Sequence, residues 1–150
     1  MKIRRIAPIA ALALAALALS GCTKPAPAVS VVSGTNSVNE QALCWDFNVD
    51  EAGLNCQNLA ANLQDSLPNA LAVPSMVGNT VGISVDTAVA EEGWTAFFNG
   101  QPLSQAPITE TYYRFTIPAG TTLTAEGTPL AVAAISNNKM RGLWLFKITN

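Results

Sequence analysis

LWLFKIT, residues 143–149, is the stretch that decides the fold. In an extended chain successive side chains point to opposite faces, so Trp144, Phe146 and Ile148 share one face and Leu143, Leu145 and Lys147 the other. A strand apolar on both faces needs cover on both, which places it in the middle of a sheet. Working back along the chain, VSVVSG (29–34), TVGISV (80–85), GWTAFF (93–98), TYYRFTI (111–117), TTLTAEG (121–127) and LAVAAIS (130–136) are short and rich in β-branched and aromatic residues. Gly, Pro and Asn bound them, and several such strands in succession predict a sandwich or barrel. In TVGISV, Val81, Ile83 and Val85 fall on one face.

The connections follow from turn chemistry. FNGQ (98–101) carries the Asn-Gly pair of a type I′ hairpin, whose two central positions need positive φ. SNNKMRG (136–142) reads as a longer hairpin loop joining the last two strands. One stretch breaks the β pattern: in NLAANLQDSL (58–67) Leu59, Leu63 and Leu67 recur every four residues, and Pro68 stops the run. The expected fold is mainly β, an immunoglobulin-like antiparallel sandwich of about seven strands with one short helix.

The first residues, MKIRRIAPIAALALAALALSGC, give a basic start, an uncharged apolar run from Ile6 to Leu19, and small residues before Cys22. This is the pattern of a secretory signal over 1–21. The run is too short for the roughly 20 residues that span a bilayer core. LSGC resembles the lipobox of bacterial lipoprotein precursors, in which the cysteine is acylated and becomes the first mature residue. The resemblance implies that acyl chains on Cys22 hold the protein on the outer face of a membrane, each buried methylene contributing about 0.8 kcal/mol. A proline-containing tether over 22–28 then leads to a single domain over 29–150.

Acylation of Cys22 leaves two of the chain's three cysteines, Cys44 and Cys56, outside the membrane, where thiols oxidise. A disulfide between them closes a loop similar in size to the 15-residue case, for which chain entropy gives about 3 kcal/mol. The segment they bound, CWDFNVDEAGLNC (44–56), also opens like a calcium loop, with Asp46, Asn48 and Asp50 at alternate positions. Glu51 stands where the turn glycine belongs and Gln57 where a bidentate Glu belongs, so no metal is assigned. The cysteines are spaced too widely for a thiol oxidoreductase. A stapled turn is the reading that remains, with Trp45 expected to pack near the sulfurs.

With the lipobox, the early strand, the short-spaced cysteine pair, VGISVDTAVAEEGW (81–94) and a final hairpin ending in an aromatic strand, the chain resembles a domain-of-unknown-function family of actinobacterial lipoproteins. The resemblance implies a small envelope sandwich and lends no activity. A helix-like insert over 57–76 departs from the family pattern.

Composition excludes more than it assigns. The chain has no histidine, which removes Ser-His-Asp triads, Cys-His pairs and His-rich zinc sites. From Cys22 onward five basic residues (Lys24, Arg114, Lys139, Arg141, Lys147) face all ten acidic ones, which gives no basic footprint for nucleic acid. No Gly-rich phosphate loop is present. Ser136 and Lys139 match the S-x-x-K spacing of penicillin-binding enzymes without their companion motifs. Asp86, Glu91 and Glu92 are the carboxylates nearest a glycosidase pair, and Trp45, Trp94 and Trp144 supply either core area or a stacking platform. The expectation is a non-enzymatic lipoprotein without cofactor that binds or organises another envelope component, with an envelope protein as partner. The alternative is a carrier of a small apolar ligand or calcium.

Overall fold

The computed structural model describes residues 24–47 and 54–150. The signal segment 1–21, Cys22, and the calcium candidates Asn48 and Asp50 lie outside the described residues. Among those described are ten strands in two sheets that form a β-sandwich. The first sheet runs β2 (Asn36–Gln41), β1 (Ala28–Ser33), β5 (Thr80–Val85), β8 (Tyr112–Thr116). The second runs β3 (Cys44–Trp45), β10 (Lys139–Thr149), β9 (Thr128–Ser136), β6 (Trp94–Phe98), β7 (Gln101–Pro102), and β4 (Leu71–Pro74) lies parallel to β10 further along the edge that β3 occupies. All other pairings are antiparallel.

β10 is central, as its two apolar faces require. Trp144, Phe146 and Ile148 are fully buried between the sheets, where they meet Val31, Val81 and Ile83 from the opposite sheet. Burial of Phe146 and Ile148 stabilises the fold by about 2 kcal/mol each. The outer face of β10 is buried too, because α1 (Leu54–Ala61) lies over it. Cys44, Cys56, Ala133 and Leu143 form a second small core there, flanked by Leu59, Ala60 and Leu63. The insert therefore packs on the sandwich: α1 is followed by α2 (Leu63–Ser66), a single 3₁₀ turn (Leu67–Asn69), and then β4, which joins the sheet.

Four expectations are corrected. TTLTAEG is a loop: Gly120 and Gly127, with φ of 91° and 97°, fence it, and only Leu123 reaches the core. SNNKMRG is a tight turn, with Asn137 and Asn138 both left-handed (φ 50° and 60°) between paired Ser136 and Lys139. Asparagine tolerates that conformation, so no longer loop is needed. A helix that periodicity did not reveal, α3 (Thr87–Glu92), carries the chain from β5 in one sheet to β6 in the other and buries Val89 and Ala90. Chain contacts also begin before Val29: Pro27 is buried and its carbonyl accepts hydrogen bonds from Trp144 Nε1 (3.1 Å) and the Ala42 amide (3.3 Å).

Candidate functional site

Cys44 and Cys56 are joined, with Cα atoms 5.5 Å apart, and both are buried. The bond ties β3 at the sheet edge to α1 above it, which is the work of a staple. Trp45, next in sequence, must point to the other face. It packs against the main core, 5.9 Å from the Trp144 ring, and not beside the sulfurs as expected. Of the calcium candidates only Asp46 is described, its amide bonded to the Arg141 carbonyl (2.8 Å). Among the described residues no three His, Cys, Asp or Glu side chains converge as a metal would need.

Two of the three candidate carboxylates, Asp86 and Glu92, make structural contacts. Asp86 Oδ2 accepts from the Ala28 amide at 2.8 Å, tying the start of β1 to the start of α3. Glu92 bridges to Arg141 (3.3 Å), and Glu91 is exposed beside it. Arg141 sits where the β9–β10 register shifts, a bulge that re-aims its side chain. It is 9% exposed, its guanidinium stands 5.4 Å over the Trp45 ring, and its Nε has no hydrogen-bond partner among the described residues. Ser136 and Lys139 face each other across a β-turn and not from a helix start, so the S-x-x-K geometry is missing.

Trp94 and Trp144 are fully buried, and each indole N–H holds a carbonyl, that of Glu110 (2.9 Å) and of Pro27 (3.1 Å) respectively. They are core residues that also fasten flanking chain, leaving no aromatic platform on these two.

Two ends of the sandwich differ in character. Ala28 lies at one end, beside Gln41 and Asp86, where the chain enters from Lys24. Ser33 lies at the other, about 17 Å away along the six residues of β1. There the turn at Gly34, the segment after β4, Asn79 and Asn150 line an open surface cleft of about 440 Å³. Ser33 and Ser75 form its floor, 2% and 7% exposed, their hydroxyl oxygens 2.7 Å apart. Asn36 Nδ2 closes one wall by donating to the Pro74 carbonyl (3.1 Å), and Met76, 67% exposed, stands at the rim. None of the lining side chains is charged. Sequence reasoning missed this cleft, because its residues are spread over three segments and none belongs to a recognisable motif.

No protein-family model matches the chain, and no curated protein or solved structure matches it either. The resemblance to actinobacterial lipoproteins rests on the residues quoted for it alone.

Proposed function

We propose that this protein is a lipoprotein on the extracytoplasmic face of a cell membrane, held by acylated Cys22, and that it binds or organises another envelope component without catalysing a reaction. The observation that carries this reading is the Cys44–Cys56 disulfide. It fits an oxidising compartment, and it uses two of the three cysteines, leaving Cys22 in the lipobox-like LSGC as the remaining one. The fastened Pro27 lies five positions after Cys22, a reach of at most about 17 Å. An acylated Cys22 would therefore hold the Ala28 end of the sandwich close to the bilayer and turn the Ser33 end outward.

The test is crosslinking of the acylated chain in intact cells, with mass spectrometry of what co-purifies and Cys22→Ala as the unanchored control. Enrichment of one envelope component that depends on Cys22 is the expected result. Turnover of an envelope substrate by the purified protein, lost on changing a single carboxylate, would overturn the non-enzymatic role.

A further inference from the structure

We infer that the cleft at the Ser33 end is a binding site for a neutral saccharide. Each serine hydroxyl carries one donor hydrogen and two acceptor lone pairs. In the Ser33–Ser75 pair one hydroxyl donates to the other, and among the described residues neither makes a second hydrogen bond. One hydroxyl hydrogen on the cleft floor is thus free to donate to a ligand oxygen. Asn36 spends one amide hydrogen on Pro74 and keeps its remaining amide groups at the wall. Asn79 brings a second side-chain amide.

The lining decides the class of ligand. Its side chains are hydroxyls and amides without charge, beside the flexible thioether of Met76. A carboxylate or phosphate would find no counter-charge there, whereas a sugar offers hydroxyls that donate and accept and C–H faces that pack on an apolar side chain. An extended peptide is the poorer fit, because peptide recognition by strand addition needs free backbone groups. Here the backbone is already committed: the Ser75 amide bonds the Thr149 carbonyl (2.8 Å), the Asn79 amide that of Met76 (3.0 Å), and the Gly78 amide that of Ile117 (3.0 Å). The volume falls within the roughly 300–1,000 Å³ of small-ligand sites.

This inference rests on the binding role proposed above and names its ligand, but it does not need the anchor. The test is titration calorimetry of the full chain in detergent with a tetrasaccharide of β-1,4-linked N-acetylglucosamine, against an end-blocked tetra-alanine peptide as comparison. Saturable sugar binding is expected, weakened about tenfold by Ser75→Ala, the size of one lost hydrogen bond, and weakened also by Met76→Ala with the melting curve unchanged. Should Ser75→Ala fail to fold, Met76→Ala on its exposed loop carries the test. Absence of saturable binding by the folded chain, equal affinity in the folded variants, or binding of the peptide in place of the sugar would each overturn the inference. Any of these, with anchoring at Cys22 intact in cells, would leave the lipoprotein reading standing.

Discussion

Trp144 donates its indole N–H to the carbonyl of Pro27 across 3.1 Å and 117 residues of sequence. The longest strand of the fold thereby grips the segment that enters it. Trp144→Phe keeps most of the ring and removes the donor. The expected loss is about 1 kcal/mol, a fall in melting temperature of about 4 °C, with faster proteolysis ahead of β1. Calorimetric melting and limited digestion check it.

The disulfide holds α1 over the outer face of β10, so its loss should act locally first. Cys44→Ser with Cys56→Ser is expected to cost about 3 kcal/mol. Hydrogen exchange should rise first in α1 and at Leu143, while β1 and β5 stay protected. Uniform exchange across both sheets would contradict a local staple.

Glu92 compensates a charge that the bulge at Arg141 carries into a largely buried position. Glu92→Gln should destabilise by about 2 kcal/mol, between the values for exposed and fully buried pairs. Pairing it with Arg141→Met should recover part of the loss, because the uncompensated charge goes with it. A double-mutant cycle in urea measures both.

β8 is an edge strand. The Val85 amide bonds the Thr111 carbonyl, so in the alternating antiparallel ladder the backbone groups of Tyr112, Arg114 and Thr116 point away from β5. Arg114 stands in the middle of this aromatic strand as the charge that discourages a second chain from adding to it. Arg114→Val should increase self-association, read as a concentration-dependent rise in sedimentation coefficient.

Much of the sandwich is legible in the sequence where apolar residues alternate, as at Val81, Ile83 and Val85, or fill both faces, as in β10. β2 escaped because Val38 is the one apolar side chain in NSVNEQ, and an edge strand takes its place from pairing with β1. TTLTAEG misled because threonine has the right propensity for a strand, yet a strand also needs a partner. The direction of Trp45 followed from the alternation that places Cys44 outward, once β3 was known to be extended. The cleft could not be read at all: Ser33, Asn36 and Ser75 are ordinary polar residues until the end of β4 is set beside the β1–β2 turn.

The position of β10 in the chain bears on the order in which the fold can form. It borders β3, β4 and β9, so β3 and β4, which emerge early in synthesis, have no strand to pair with until residues 139–149 arrive. Such distant pairings are slow to close. In a polypeptide delivered amino terminus first, the strands of the first sheet are all present by Thr116, whereas the second sheet is completed in one late step by the arrival of its longest strand.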